Sequence, residues 1–209
     1  MSSGGRLTEQ IILHLNTMNH DLTPLRRYLN SLVPLSDPEW ENLNELLYIQ
    51  EYDKKELFLA TGKVCKTVGF ILEGCFRWVK DHNGEDRTFD FAIEHEFVTN
   101  YYSIVTQKPS KVDILAVEKT TLVCMDAKKL MDLFDSTYSW QKIGRHLAQH
   151  TACYFMERLE ASYYETPQNR YDKLMSTSPE LFLRIPHHML ANYLGMTKET
   201  LSRLRNAAR

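Results

Sequence analysis

The feature that most constrains the fold is residues 136–165, a segment of about thirty residues with helical periodicity throughout. It contains no proline, and Gly144 is its only glycine. At ~1.5 Å per residue, such a helix would be about 45 Å long. Its apolar residues form two neighbouring stripes, one of Ile143, Leu147, Thr151, Phe155, Leu159 and Tyr163, the other of Trp140, Gly144, Ala148, Ala152 and Phe155. Two interpretations stay open: the stripes face the helix's own domain and another chain, or they form one broad core face.

The segment before this helix has strand periodicity. From Glu51 the sequence is rich in Phe, Val, Ile and Trp, with turn signals at Thr61-Gly62, Glu73-Gly74 and Asn83-Gly84. Asn83-Gly84 is the strongest signal, because both central residues of a type I′ turn need positive φ. Residues 111–126 add two more strand-like runs. Short strands with turns about every ten residues predict an antiparallel sandwich or β-roll.

Helical patterns precede the strands and follow the long helix. Residues 7–50 have helical segments, the last of which is expected to start at Ser36 as N-cap and to end at Leu47. Thr166-Pro167 predicts the start of a short helix through Leu174. The stretch "SPELFLRIP" after it predicts a loop and a strand-like piece.

The last two helical patterns meet at a glycine, in "LANYLGMTKETLSRLR". The first helix is expected to run from Pro186 to Leu194, and Gly195 then adopts a left-handed conformation that glycine takes easily. Thr197 is the expected N-cap of the second helix, with Thr200 as its partner. The apolar side that joins the two helices comprises Leu190, Tyr193 or Leu194, Met196, Leu201 and Leu204.

A small residue, a glycine four positions later and an aliphatic residue ten positions later are typical of a helix-turn-helix. Here these positions hold Ala191, Gly195 and Leu201. The second helix, 197–207, would enter a DNA major groove by its N-terminal end. The residues expected to face DNA are Thr197, Lys198, Glu199, Thr200, Ser202, Arg203 and Arg205. The alternative at this point is an ordinary helical hairpin with a solvated polar face.

Charge is distributed unevenly along the 209 residues. From Pro167 onward there are seven basic and three acidic residues, a balance of +4, whereas the whole chain carries −2 and the rest therefore −6. This asymmetry is expected when one end of a protein meets phosphate groups. A hydrophobic content of 43% argues against wholesale disorder.

Several other kinds of site and location are disfavoured. Cys65, Cys75, Cys124 and Cys153 show no CxxC spacing, and the last three lie in apolar or amphipathic stretches that predict buried thiols. His146 and His150 are four residues apart on the long helix, but no third metal ligand is in view. No signal peptide or membrane span is evident, so we expect a reduced, cytoplasmic protein.

An enzymatic function is the weakest hypothesis. The sequence shows no nucleophile–base pair, no phosphate-binding glycine-rich loop and no HExxH motif. Its only dense acid–base cluster is Glu94-His95-Glu96, which is expected to be a charged loop or strand end.

The segment "IPHHMLANYLGMTKETLSRLR" resembles the DNA-binding element of the Crp–Fnr family of transcription regulators. The order of a sensory β-roll, a long dimerisation helix and a helix-turn-helix is also similar, and "FLATGKVCKTVGFILEGCFRWV" resembles the early β-roll of that family. The family contacts bases through an Arg-Glu…Arg pattern, which corresponds here to Lys198, Glu199 and Arg203. Lysine in the first position loses bidentate geometry and favours a phosphate contact. The residues after Arg205 leave no room for the hairpin wing of related regulators, so we expect a truncated wing and a shallower salt dependence.

The resemblance also locates a candidate effector pocket and shows where this chain departs from it. Family members that bind cyclic AMP use a Gly-Glu pair and an Arg-Ser pair, which correspond here to Thr99-Asn100 and Ser110-Lys111. Asn100 and Lys111 are weaker substitutes for the glutamate and arginine, so we expect that the pocket does not bind cyclic AMP. The candidate pocket residues are Thr99, Asn100, Tyr101, Ser110 and Lys111. No cofactor or metal is expected, and the effector is unknown.

The resemblance therefore implies an α+β fold class: an N-terminal antiparallel, jelly-roll-like β-roll with flanking helices, then a long dimerisation helix and a helix-turn-helix domain. The expected domains are 1–135, 136–165 and 166–209. The implied function is a homodimeric regulator that binds a pseudo-palindromic site in double-stranded DNA, with RNA polymerase as a further candidate partner. The alternative is a ligand-sensing β-roll that regulates a protein partner through its terminal helices. Basic residues on the second helix argue against that alternative, because protein interfaces are depleted in lysine.

Overall fold

The computed structural model of the protein describes residues 20–207. The first part of the predicted N-terminal helical region, 7–19, and Arg209 of the basic segment lie outside these residues. Within 20–207 the chain forms nine helices and eight strands. The helices are α1 Thr23–Leu32, α2 Asp37–Asn44, α3 Tyr101–Thr106, α4 Ala127–Phe134, α5 Tyr138–Tyr164, α6 Pro167–Thr177, α7 Leu181–Arg184, α8 His187–Tyr193 and α9 Lys198–Ala207. The strands are β1 Tyr48–Tyr52, β2 Leu57–Leu59, β3 Thr67–Glu73, β4 Phe76–His82, β5 Glu85–Ala92, β6 Phe97–Val98, β7 Asp113–Ala116 and β8 Thr120–Asp126.

The strands form two four-stranded sheets, so the α+β class with an antiparallel β-roll is confirmed. Their strand orders are β1-β8-β3-β6 and β2-β7-β4-β5. In the first sheet, β8 lies between β1 and β3 in antiparallel pairing, so that Cys124 is opposite both Tyr48 and Gly69. Large apolar side chains from both sheets are fully buried, among them Phe70, Phe76 and Leu122. Strand alternation in the sequence therefore corresponds to a real core.

The predicted turn residues adopt the conformations that the sequence indicated. Asn83 and Gly84 have φ angles of 57° and 82°, as a type I′ hairpin turn requires, and they join β4 to β5. Gly74, between β3 and β4, has φ 107°, and a Cβ atom there would lie 2.3 Å from Thr120 Oγ1. Gly74 is thus needed for its conformation and for the close approach of the chain.

The N-terminal region contains one confirmed helix start and one error. Ser36 forms the predicted cap of α2: its hydroxyl accepts from the Glu39 amide, and the Glu39 carboxylate accepts from the Ser36 amide. The helix ends at Asn44 rather than Leu47, and Tyr48 already begins strand β1, which the sequence had placed in the helical region. Pairing of β1 with β8 supplies backbone hydrogen bonds that outweigh the local helical pattern.

The long helix is confirmed as α5, which has 27 residues and is therefore about 40 Å long. Its first part packs into a core, where Trp140 and Ile143 are buried and Gly144 allows the Phe134 ring to approach closely. In its second part Phe155, Leu159 and Tyr163 are all at least half exposed. The predicted apolar stripe is thus core-facing at one end and uncovered at the other.

The stretch predicted as a loop and a strand-like piece has its loop at residues 178–180, but the strand-like piece forms helix α7, so that part of the prediction was wrong. Leu181 and Phe182 are both buried, and Ile185 N donates to Leu181 O at 2.9 Å. A short apolar run does not distinguish a strand from one buried helical turn. The Phe182 ring packs edge-on against Tyr171 of α6, and this contact stabilises the helical conformation of α7.

The described residues fall into two compact units. One comprises 20–76 and 92–147, and the other comprises 77–91 together with 148–207. The second unit therefore contains most of the β4–β5 hairpin, the second part of α5 and all of α6 to α9. The three predicted domains, 1–135, 136–165 and 166–209, stay predictions.

The sequence predicted buried thiols at Cys75, Cys124 and Cys153, and the first two are confirmed. Cys65, Cys75 and Cys124 are buried thiols, and burial raises the pKa of Cys124 to about 12. Cys153 is exposed, because its position on α5 lies in the uncovered second part of that helix. The predicted burial of Cys153 was therefore wrong.

Candidate nucleic-acid interface

Helices α8 and α9 form a helix-turn-helix around Gly195. Gly195 has φ 63°, and Met196 N donates to Ala191 O at 2.9 Å, which closes the turn after α8. Leu190, Ala191, Leu194 and Leu201 are buried between the helices. Of the two alternatives left by the sequence, Leu194 joins this core, whereas Tyr193 is only half-buried and packs against Phe91 of β5.

The N-terminus of α9 is capped as predicted. The Thr197 hydroxyl accepts from the Thr200 amide at 3.2 Å, and the two hydroxyl oxygens are also 3.2 Å apart. These contacts hold the first turn of α9 in place. Thr197 and Thr200 therefore define the start of the helix as well as lying at its exposed end.

Most of the predicted DNA-facing residues lie together on one open face. An open groove is lined by His187 of α8 and by Lys198, Glu199, Ser202, Arg203 and Asn206 of α9; we call these six residues the recognition face. Four of the seven predicted residues belong to it. Arg205 lies beside it, half-buried, with its guanidinium hydrogen-bonded to His187.

Two recognition-face residues, His187 and Asn206, were not among the predicted DNA-facing residues. Asn206 follows Glu199 and Arg203 at the spacing of successive helical turns, so helical periodicity contained the signal that identifies it. His187 belongs to a different helix, and only the packing of α8 on α9 brings it to the groove.

The electrostatics of the recognition face suit a mixed contact with bases and phosphates. A backbone hydrogen bond and the Thr197 hydroxyl, helped by the charge of Lys198, lower the pKa of the exposed Glu199 carboxyl. Glu199 is therefore an ionised hydrogen-bond acceptor at neutral pH. The N-terminus of α9 and the Lys198 and Arg203 cations supply positive charge around it.

Arg170 of α6 contacts the turn of the helix-turn-helix. Its Nε donates to Leu194 O at 2.7 Å and its Nη1 to Glu165 O at 2.6 Å, with longer contacts to Ala161 O and Gly195 O. The Glu165, Leu194 and Gly195 carbonyls lie just after the C-terminal ends of α5 and α8, where backbone oxygens lack partners within the helix. Ala161 O also accepts from the Glu165 amide at 3.1 Å. One guanidinium thus joins the end of the long helix to the turn.

A second group of contacts joins α8 to the β4–β5 hairpin and to α5. It comprises Asp90, Tyr154, Arg158 and Tyr193, which we call the Asp90 cluster. Tyr154 donates its hydroxyl to Asp90 at 2.6 Å, and the Arg158 guanidinium lies 4.3 Å from the centre of the Tyr193 ring. Burial raises the pKa of the Asp90 carboxyl, an effect larger than the opposing charge of Arg158. No pattern in the sequence predicts this cluster, because its members come from three distant segments.

The predicted effector residues lie near one another, and three of them are held by internal hydrogen bonds. Asn100 donates through Nδ2 to Ser110 Oγ at 2.9 Å, and its Oδ1 accepts from the Ser103 amide and caps α3. The buried Ser110 hydroxyl donates in turn to Val112 O, and Thr99 donates to Thr67 O. Tyr101 and Lys111 are exposed. Thr99, Asn100 and Ser110 therefore organise this loop themselves.

The two other candidate sites from the sequence are the acid–base cluster at 94–96 and the histidine pair on α5. Glu94 accepts from the Gly74 amide and Glu96 from the Ile93 amide, so the acid–base cluster is a loop, as expected. His146 and His150 are both exposed on α5. In the part of the chain that the structure describes, no group of three or more His, Cys, Asp or Glu side chains could hold a metal ion. No helix within 20–207 has the length and hydropathy of a membrane span.

Comparison with known proteins connects this arrangement to a family. Residues 49–137 match the family model of the cyclic nucleotide-binding domain. A comparison with curated protein sequences gave no match.

Solved structures of bacterial regulators share the fold over most of the chain. FixK2 from Bradyrhizobium japonicum is similar with a TM-score of 0.65 and 17% identity, over 77% of this chain and 83% of that one. The c-di-GMP-responsive global regulator CLP from Xanthomonas campestris gives 0.59 and 16%, over 83% and 91%. The catabolite activator protein of Thermus thermophilus gives 0.53 and 19%, over 84% of each chain. The resemblance seen in the sequence is thus confirmed at the level of the fold: residues 49–137 match the cyclic nucleotide-binding domain, and the chain has the fold of the Crp–Fnr transcription regulators.

Proposed function

We propose that this protein is a transcription regulator that binds a pseudo-palindromic site in double-stranded DNA as a homodimer. The observation that carries the proposal is the recognition face, an open polar surface on a capped helix of a helix-turn-helix. A helix of this kind enters the major groove by its N-terminal part. The fold shared with bacterial regulators supports the same function.

Each recognition-face residue has a chemistry that fits one part of the DNA. Arg203 can donate two parallel hydrogen bonds to O6 and N7 of guanine, and ionised Glu199 can accept from N4 of cytosine. Lys198 and the N-terminus of α9 suit phosphate oxygens. Ser202 lies between Glu199 and Arg203 on the same face and fits either role.

The uncovered part of α5 supports the dimer. Phe155, Leu159 and Tyr163 recur every fourth residue and remain exposed within the described chain. A second copy of the same helix would cover this stripe, because parallel helices with such spacing bury each other's apolar side chains. Two recognition faces about 34 Å apart would then meet successive major grooves on one side of the DNA.

Two of the predicted effector residues of the β-roll, Asn100 and Ser110, are bonded to each other rather than left open for a ligand. The bonds between Asn100 and Ser110 occupy polar groups that a ribose hydroxyl or a cyclic phosphate would need. We therefore propose that the β-roll does not bind cyclic AMP, and calorimetric titration of the protein with cyclic AMP tests this directly. A role for RNA polymerase and a cytoplasmic location stay predictions.

The first experiment is a selection of random duplex DNA on the purified protein, with salt titrated in the binding step. Enrichment of two inverted half-sites is expected, and their spacing tests the parallel dimer. Binding that enriches no sequence, with and without the small-molecule fraction of a cell extract, would contradict a sequence-specific regulator. No binding at low salt would favour a protein partner instead.

The selected site then allows a matched pair of variants. Arg203→Ala should weaken specific binding by about 1–3 kcal/mol and relax the preference at one base pair. Lys173→Ala makes the same charge change on α6, away from the recognition face, and should leave the base preference intact. If both variants weaken all sequences equally, Arg203 contributes charge only.

A further inference from the structure

The Asp90 cluster joins three segments that are far apart in the sequence. Asp90 belongs to β5, Tyr154 and Arg158 to α5, and Tyr193 to α8. Arg158 also donates to the Phe89 carbonyl, and Asn192 of α8 donates to the Asp86 carbonyl at 3.1 Å. The first helix of the helix-turn-helix is therefore bonded both to the long helix and to the β4–β5 hairpin.

These contacts are specific rather than merely apolar. Asp90 is only 7% exposed, accepts the Tyr154 hydroxyl and lies 3.9 Å from Arg158. The Tyr193 ring is held between the Arg158 guanidinium and the edge of Phe91, whose centroid is 5.3 Å away. A buried, hydrogen-bonded carboxyl group and a cation stacked on an aromatic ring restrict the relative arrangement of the elements that carry them.

The hairpin that receives these contacts is itself fixed. Buried Arg77 of β4 donates to the Thr88 hydroxyl and to the Asp86 carboxylate, both at 2.9 Å and both on β5. The type I′ turn at Asn83-Gly84 closes the same hairpin. The hairpin is thus a defined support rather than a loose loop.

Helix α8 is packed tightly against α9 in the core of the helix-turn-helix, so the position of α8 determines that of α9. Leu190 of α8 and Leu201 of α9 are fully buried, and the Met196 amide is bonded to Ala191. No member of the Asp90 cluster belongs to the recognition face. The cluster therefore determines where α9 points without covering its DNA-facing side.

We propose that Arg158 and Tyr193 are positioning residues for DNA recognition, which hold the recognition helix at a fixed orientation to α5 through α8. This inference rests on the proposed function, and it adds the residues that determine the geometry of a dimer. Binding to a palindrome requires that both recognition helices of a dimer have the correct spacing. Binding to a single half-site requires only one recognition helix and therefore does not depend on that spacing.

The test compares two duplexes: the selected palindrome, and the same DNA with one half-site replaced. Tyr193→Leu keeps an apolar side chain but removes the ring, and Arg158→Met removes the guanidinium while keeping most of its length. Each variant should bind the palindrome at least about tenfold more weakly, corresponding to about 1.4 kcal/mol. The affinity for the single half-site should change less than about twofold, and the preferred half-site spacing should broaden.

Two controls make the result specific. His188→Ala changes an exposed residue of α8 outside the cluster and should bind both duplexes like the wild type. The double variant Arg158→Met with Tyr193→Leu should lose less than the sum of the two single losses, because both changes break the contact that these two side chains share. Circular dichroism and thermal unfolding establish that every variant is folded.

Three results would overturn the inference. Equal losses on palindrome and half-site would mean damage within the helix-turn-helix, unchanged binding of the palindrome would mean that the cluster only packs, and tighter binding would mean that it restrains the protein from DNA. Failure of the wild type to bind any selected DNA would instead refute the proposed function, and that result needs no variant.

Discussion

Replacing Arg170 by methionine should destabilise the helix-turn-helix more than the β-roll. The substitution keeps most of the side-chain length but removes the guanidinium that donates to four carbonyl groups of α5, α8 and their ends. Ala161 O keeps the Glu165 amide as a partner, whereas the other three carbonyls then depend on water. Arg170 is itself half-buried, so we expect water to reach this place only in part.

The magnitude follows from the geometry. A hydrogen bond from a charged donor contributes about 1.5–3 kcal/mol, and an unmet buried acceptor loses a similar amount. Two of the four contacts, at 2.7 and 2.6 Å, are short, whereas those at 3.3 and 3.5 Å add little. With partial access of water, the lower end of the range applies to each short bond. We expect a loss of about 2–3 kcal/mol.

Hydrogen exchange measured by mass spectrometry distinguishes the two units. Amides of α8 and α9 should exchange about 30- to 150-fold faster in Arg170→Met, as the free-energy loss implies. Peptides from β3 and β8 in the same sample serve as an internal reference and should change little. Arg170→Lys keeps the charge but loses the planar donors, and should give an intermediate result. Acceleration below about threefold in α8 and α9, or equal acceleration in both units, would refute the assigned role.

Three further predictions test other features. Gly74→Ala should cost at least about 2 kcal/mol more in urea unfolding than Gly62→Ala, since both have positive φ but only the former brings a Cβ atom to 2.3 Å from Thr120; equal losses would show that strain alone matters. Because burial raises the pKa of Asp90, the folded state holds its proton where the unfolded state has lost it, so this group's contribution to stability should fall as pH rises above about 4. Asp90→Asn should remove that part of the pH dependence of urea unfolding, and an unchanged slope would contradict it. Leu159→Lys should convert the proposed dimer to monomer in light scattering, whereas an unchanged dimer mass would exclude this stripe as the interface.

Local chemistry predicted the elements whose form depends on neighbouring residues. Ser36 capped its helix, Asn83-Gly84 made its hairpin turn, and Gly195 took the left-handed conformation. In each case the residues that determine the geometry lie within four positions of one another. The helix-turn-helix signature spans ten positions, from Ala191 to Leu201, and is still local enough that four of the six recognition-face residues were predicted from the sequence.

Features that depend on distant segments were missed. Strand β1 was placed within a helical region because its partner, β8, lies some seventy residues away, and α7 was misassigned because Tyr171 supports it from another helix. The Asp90 cluster joins β5, α5 and α8, and no spacing within the sequence connects them. Cys153 is likewise exposed because, within the described residues, no other segment covers its side of α5, which local sequence does not reveal.

The division of the second unit into 77–91 and 148–207 has a consequence for how the chain folds. During synthesis the hairpin leaves the ribosome long before the helices that bond to it, and residues 92–147 must be made in between. Bringing the two ends of this long segment together has an entropic cost. Once β7, β8 and α4 have folded within the first unit, the segment is already ordered, and the later association costs less entropy. We expect the β-roll to gain protection first in pulse-labelled hydrogen exchange, with the helix-turn-helix docking onto the hairpin afterwards. Protection of α8 before β8 would contradict this order.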